Sequence, residues 1–268
     1  MMRADVYLAE NGYVKSRQSA KNLIEKGSVK IDGNIVRKPS EQVDEGIEHS
    51  VEVISERFVS RGALKIEGAL DNFKIDVKDK ICIDIGASTG GFTDCLLSRG
   101  AAKVFAVDSG HGQLDMMLAA NEKVVNIEGY NARFLAKKDF PCLFNMAVMD
   151  VSFISQTYIL SGVADVLCED GILISLIKPQ FEAGRAAVGK NGIVKKPEDR
   201  AAALMRVIGA AAETGLFCHK LMRSPIDGGD GNIEYLACFT RDKNKYNVDV
   251  NSIKKVLSEI ERGHCSGC

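Results

Sequence analysis

From Lys80 onward the chain repeats one pattern, a short and almost continuously apolar run followed by a stretch with helical spacing. The runs are ICIDIG, KVFAVD, VVNIE, NMAVMDV and GILISLIKP, and the helical stretches fall near residues 91–98, 113–120, 155–168 and 197–214. A strand that is apolar on both faces has no side to show to water, so it belongs inside a sheet covered by helices front and back. Alternation of such strands with helices predicts an α/β fold with a doubly wound, mostly parallel sheet. Two later runs, FCHKLMRSP and EYLACFTR, are separated only by a loop, which predicts an antiparallel end to that sheet. A last amphipathic helix is expected at about 252–261.

The residues before this pattern read differently. Helical spacing from about Arg3 to Asn11 closes at Gly12, and a second helix starts after Ser16 as N-cap and stops at Gly27. The pattern then alternates through Val29-Lys-Ile31, turns at Asp32-Gly33-Asn34 and continues in Ile35-Val36, a hairpin signal. Residues 15–38 hold seven Lys and Arg against two acids, although the whole chain has a net charge of −1. On charge alone this is equally well a solvated surface. The division expected from sequence is a small α+β module at 1–58, a linker and entry helix at 59–79, the large sheet domain at 80–245, and a carboxy-terminal helix and tail at 246–268.

No apolar run approaches the roughly 18 residues of a membrane helix, and the first residues carry an acid at Asp5 with no cleavage-type segment. Six of the eight cysteines sit singly in apolar segments, as reduced core thiols do. These features imply a cytoplasmic protein. The tail His264-Cys265-Ser-Gly-Cys268 supplies two thiols and an imidazole, too few to complete a tetrahedral zinc site, and no metal is expected.

The first apolar run continues as Gly86-Ala-Ser88-Thr-Gly90-Gly91. In a dinucleotide fingerprint the residue at Ser88 is a glycine that lets the pyrophosphate approach, so this turn argues against NAD. A glycine turn of this kind can also be plain structure. With Asp84 on the strand before it and Asp108 ending the next, it resembles the S-adenosylmethionine site of class I methyltransferases, a resemblance that implies cofactor contacts from Asp84, Gly86, Ala87, Ser88, Gly90, Gly91, Asp108 and Asn131. Asp108 would accept from the ribose hydroxyls.

Five spaced motifs carry a closer resemblance: VSRGALK at 59–65, DSGHGQL at 108–114, DVSFIS at 150–155, IKPQFE at 177–182 and GNIE at 231–234. Together they resemble the TlyA family, bacterial ribosomal-RNA 2′-O-methyltransferases long called haemolysins and related in their catalytic domain to FtsJ-type ribose methyltransferases. Ala63 stands where the family pattern has a second glycine. The amino-terminal segment is similar to the small RNA-binding domain of a small-subunit ribosomal protein, several pseudouridine synthases and bacterial tyrosyl-tRNA synthetases. That likeness implies phosphate contacts from Arg17, Lys21, Lys30 and Lys26.

The family resemblance implies a catalytic tetrad of Lys65, Asp150, Lys178 and Glu234. Asp150 and Lys178 end apolar strands, at the edge where parallel sheets place their chemistry, and a lone charge there is costly, so the two are expected to pair. Each taken singly, without the motif context, reads first as a member of a structural ion pair. A ribose 2′-hydroxyl needs a base, and a lysine can serve when partial burial and a second positive charge disfavour its charged form. The implied roles are Lys178 as base, Lys65 as its neighbour and ribose guide, and the two acids as orienters of the amines. The loop 184–196, with Arg185, Lys190, Lys195, Lys196 and no acid, is expected to be a flexible lid over ribosomal-RNA phosphates. Two rival readings are a membrane-lytic protein, for which the sequence offers no span or cationic amphipathic helix, and a non-catalytic RNA-binding assembly factor, against which the intact tetrad speaks.

Overall fold

The computed structural model describes every residue except 15, 26, 48, 54–57, 229–230, 246–247 and 264–268. Its contacts divide the chain into two compact units, Met1–Arg57 and Phe58–Cys268.

The first unit runs β1 (Met2–Arg3), α1 (Ala4–Glu10), α2 (Arg17–Glu25), β2 (Val29–Ile31), β3 (Asn34–Ile35), β4 (Gln42–Val43) and β5 (Val51–Val53). Ala4, Tyr7, Leu8, Ala20, Ile24, Val29, Val36 and Val43 form its core, so α1 and α2 each bury one stripe against the strands. The Ser16 hydroxyl accepts from the amide of Ser19, which caps α2 as its sequence implies. The hairpin turn is tighter than expected: Lys30 pairs Ile35 and Ile31 pairs Asn34, leaving only Asp32 and Gly33 between strands. Both have positive φ, 51° and 77°, the conformation that a two-residue hairpin turn needs to match strand twist.

The second unit begins with α3 (Gly62–Phe73) and β6 (Ile81–Ile85), followed by α4 (Gly91–Ser98), β7 (Lys103–Val107), α5 (Met116–Ala119), β8 (Val124–Ile127) and β9 (Phe144–Met149). It continues through α6 (Leu160–Val166), β10 (Leu167–Ile177), α7 (Pro179–Glu182), α8 (Pro197–Glu213), β11 (Phe217–Arg223), β12 (Tyr235–Thr240) and α9 (Val250–Gly263). The sheet order is β11-β12-β10-β9-β6-β7-β8. Strands β10, β9, β6, β7 and β8 are parallel, and β12 and β11 pair antiparallel at one edge.

Both faces are covered. Ile83, Ile85, Val107, Met149 and Ile177 pack on the side of α6 and α8, and Cys82, Val104, Met146, Val148 and Leu176 on the side of α3 and α4. Alternate residues of each strand therefore serve opposite faces, which is why the runs read as apolar throughout. The stretch expected as one helix at 155–168 is instead a 3-10 turn at Gln156–Tyr158 and then α6, because β10 starts earlier, at Leu167. The chain winds from β6 outward to β7 and β8 and then returns to place β9 on the other side of β6. The carboxyl ends of β6 and β9 thus form the switch point where open α/β sheets bind ligands.

Candidate active site

At that switch point Gly86 leaves β6 with φ +84°, and a Cβ there would come within 2.4 Å of the Asp150 carbonyl oxygen, so no side chain fits. The amides of Gly86 and Ala87 both donate to the Val107 carbonyl, which holds the turn against β7. Ser88 takes the left-handed conformation itself, φ 48°, and so points its amide at Asp108 Oδ2, 2.8 Å away. The amide of Gly110 donates to Asp108 Oδ1 at 2.7 Å. With both oxygens fixed by backbone, the Asp108 carboxylate lines a cleft of about 570 Å³ together with Gly86, Ser88, Asn131, Asp150 and Ser152. Asn131 is oriented by the amide of Arg133, which donates to its Oδ1 at 3.1 Å.

Four residues expected to face the cofactor do not line this cleft: Asp84, Ala87, Gly90 and Gly91. Asp84 points to the α4 side of the sheet, where it is fully buried and accepts from the Thr93 hydroxyl at 2.7 Å. Burial pushes its carboxyl up to about 7, opposed by the Thr93 bond. Gly90 and Gly91 serve packing. A Cβ on Gly90 would meet Leu118 at 2.3 Å, and one on Gly91 would meet the Ser60 hydroxyl at 2.2 Å and the Ala63 amide at 3.1 Å.

The four residues of the expected tetrad come together as two ion pairs. Lys178, just past β10, holds Asp150, just past β9, at 2.6 Å and donates to the Ser152 hydroxyl at 2.8 Å. Lys65, on α3, lies 2.5 Å from Glu234 just ahead of β12, and both side chains are buried. A Cβ on Gly228 would come within 2.3 Å of Glu234 Oε1, so the chain folds closely over that carboxylate. Ser152 sits inside a motif visible in the sequence, but only the fold shows it touching Lys178. Phe153 also escaped sequence reasoning. It is 93% exposed, has φ +63° and stands 5.3 Å from the Phe181 ring. It is thus a non-glycine residue held in the left-handed conformation on the loop that carries Asp150 and Ser152.

The basic residues are less free than their sequence implies. Arg17 donates Nε to Asp5 at 2.9 Å, and Asp5 is fully buried with Arg3 on its other side. Arg3, with Arg17 adding to it, holds that carboxyl at about 2. Lys30 pairs with Glu52 at 3.2 Å. Lys21 makes no ion pair among the described residues, and Lys26 lies outside them. In the 184–196 loop, Arg185, Lys190, Lys195 and Lys196 are exposed, but the loop is not free throughout. Val194 is buried, its amide donates to Asn232 Oδ1, Asn232 Nδ2 donates to the Gly192 carbonyl, and Arg200 donates to the carbonyls of Val194 and Lys195. The expected flexible lid is thus fastened over its second half.

The chain is similar to known proteins over most of its length. The model of FtsJ-like methyltransferases matches residues 58–241 and that of the S4 domain matches residues 2–48. The Mycobacterium tuberculosis 16S/23S rRNA (cytidine-2′-O)-methyltransferase TlyA is 42% identical over 234 residues, 87% of each chain. Hemolysin A of Brachyspira hyodysenteriae is 42% identical over 240 residues, 89% of this chain and 99% of that one. A solved structure from Streptococcus thermophilus, described as a hemolysin, superposes with a TM-score of 0.77 at 40% identity, covering 98% and 97% of the two chains.

Proposed function

The chain belongs to the FtsJ-like methyltransferase family and carries an S4 domain ahead of the catalytic unit, and from that premise we propose that it transfers a methyl group from S-adenosylmethionine to a ribose 2′-hydroxyl of ribosomal RNA in the cytoplasm. The single observation that carries the reading is the Lys178–Asp150–Ser152 contact at the rim of the cleft that Asp108 lines. A base held at the edge of the cofactor cleft is what the transfer needs, because the acceptor hydroxyl must lose its proton next to the methyl donor.

The residues present fit the cofactor. Asp108, with both oxygens already oriented by amides, keeps lone pairs for two ribose hydroxyls. Gly86 and Asn131 line the same cleft. When bound, the cofactor supplies a methyl group on a sulfonium sulfur.

Lys178, in its neutral amine form, would accept the hydroxyl proton and so free the ribose oxygen to attack. Asp150 and Ser152 hold the amine in one direction, so it does not have to search for the hydroxyl. Lys65, held by Glu234, would guide the ribose. The amino-terminal unit, with Lys21 and Arg17, and the exposed Arg185, Lys190, Lys195 and Lys196 would bind phosphates and set the RNA in register without reading its bases.

No helix among the described residues is long and apolar enough to cross a membrane, and no structural observation favours lysis. Incubation with labelled S-adenosylmethionine and ribosomal subunits lacking the modification, followed by nucleoside analysis, tests the proposal. A 2′-O-methylated nucleoside is expected, and label on a base or on no nucleoside overturns it.

A further inference from the structure

The loop that carries Asp150 and Ser152 is fastened on both sides of Lys178 by buried hydrogen bonds. Ahead of Lys178, Gln156 donates Nε2 to the Leu176 carbonyl at 2.5 Å and accepts from the Ser175 hydroxyl at 2.7 Å, both on β10. Behind it, Glu182 at the end of α7 accepts from the Ser155 hydroxyl at 2.6 Å and from the Gln156 amide at 2.8 Å. Gln156 is 1% and Glu182 2% exposed. The Glu182 carbonyl is held in turn by Arg206, 3.2 Å away.

Burying a carboxylate among neutral donors is expensive, and an apolar residue of similar size would fill the space at lower cost. Burial indeed raises the Glu182 carboxyl above its ordinary range, against the pull of the Ser155 and Gln156 bonds. What apolar packing cannot supply is direction. A saturated polar network fixes the relative position of its members. The strained φ of Phe153, two residues before Ser155, shows the same loop held where an isolated chain would not rest.

We propose that Gln156 and Glu182 form a clasp that sets the Lys178 amine against Asp150 and Ser152, making both positioning residues for proton removal from the ribose hydroxyl. This rests on the reading of Lys178 as the base. A misplacement of about 1 Å at a reacting centre costs on the order of 10²-fold in rate, so the clasp is felt in turnover and not in cofactor affinity.

The test uses the full chain with Glu182→Ala, Glu182→Gln, Ser155→Ala and, in parallel, Lys178→Ala. Readouts are kcat and KM for methyl transfer to ribosomal subunits, S-adenosylmethionine binding by calorimetry, and amide exchange across 150–158. Glu182→Ala is expected to lower kcat by about 10- to 100-fold, with KM and cofactor affinity within about twofold and with faster exchange across the loop. Glu182→Gln should recover most of the loss, because its carbonyl oxygen still accepts from the Gln156 amide. If Glu182→Ala folds poorly, Ser155→Ala carries the same test, since it leaves all three Gln156 bonds in place, and a several-fold fall in kcat is expected. Unchanged kcat and unchanged exchange in the alanine variants overturn the clasp, as does a glutamine variant no better than alanine. Near wild-type kcat in Lys178→Ala overturns the base assignment instead, and the exchange data then still report whether the loop is held by Glu182.

Discussion

The carbonyl oxygen of Asp150 lies where a Cβ on Gly86 would be, 2.4 Å from it, so the ends of the two strands that flank the switch point touch backbone to backbone. The proposed cofactor turn and the proposed catalytic loop are therefore not independent. Gly86→Ala must either push Asp150 outward or distort a turn already at φ +84°. The strained conformation alone costs roughly 1–3 kcal/mol. Calorimetry and thermal melting should show a cofactor affinity at least tenfold weaker together with a lower Tm. Wild-type affinity would mean that the turn yields without moving Asp150.

Lys178→Ala should keep S-adenosylmethionine binding and lose turnover by about 10²- to 10⁴-fold, the usual range of a general base. Asp150→Asn keeps the shape but weakens the hold on the amine, and a smaller loss is expected. Single-turnover methylation with saturating RNA separates these effects from substrate affinity. Equal activity in all three proteins would remove Lys178 from the chemistry.

Asp108→Ala should weaken the cofactor by about 10- to 100-fold, because a hydrogen bond to a charged acceptor is worth roughly 1.5–3 kcal/mol. The amides of Ser88 and Gly110 lose their acceptor at the same time. Titration calorimetry checks the loss, and NAD should show no binding to either protein. Retention of full S-adenosylmethionine affinity would place the ribose elsewhere.

Stability should fall as pH rises through the Asp84 window. The carboxyl ionises near 3.8 in the unfolded chain and near 7 in the folded one. Well below pH 3.8 both states are protonated and nothing is lost. Between 4 and 7 the unfolded state gives up its proton first and gains stability from doing so, at a slope of about 1.4 kcal/mol per pH unit, until the effect levels off above 7. Asp84→Asn removes that slope, so its stability relative to the parent should improve by up to roughly 4 kcal/mol between pH 4 and 7. Denaturant melts at a series of pH values measure it, and parallel curves for the two proteins would contradict the assignment.

The basic face of the amino-terminal unit should divide into two kinds of cation. Lys21→Glu is expected to reduce the slope of log affinity for RNA against log salt by about one without changing Tm. Arg17→Glu should also weaken RNA binding, but it sets a second carboxylate against the buried Asp5 and should lower Tm as well. An unchanged salt slope for Lys21→Glu would show that this face does not touch phosphate.

The sequence alone determined the parallel sheet, because strands buried on both faces must be apolar throughout, and its antiparallel edge, because only a loop separates the last two runs. It also determined which polar residues stand at strand ends, since Asp108, Asp150 and Lys178 each stop an apolar run. Tertiary structure decided which of them meet. Side chains alternate across a strand, so Asp84 faces α4 and is lost to the cleft although it lies two residues before Gly86. Glu234 reaches Lys65 across 169 positions, and Gln156 and Glu182 bracket Lys178 only because β9 and β10 lie side by side. A one-dimensional pattern records how each residue treats water. It carries no record of partners brought within hydrogen-bond reach by the packing of distant segments, and here those partners make the site.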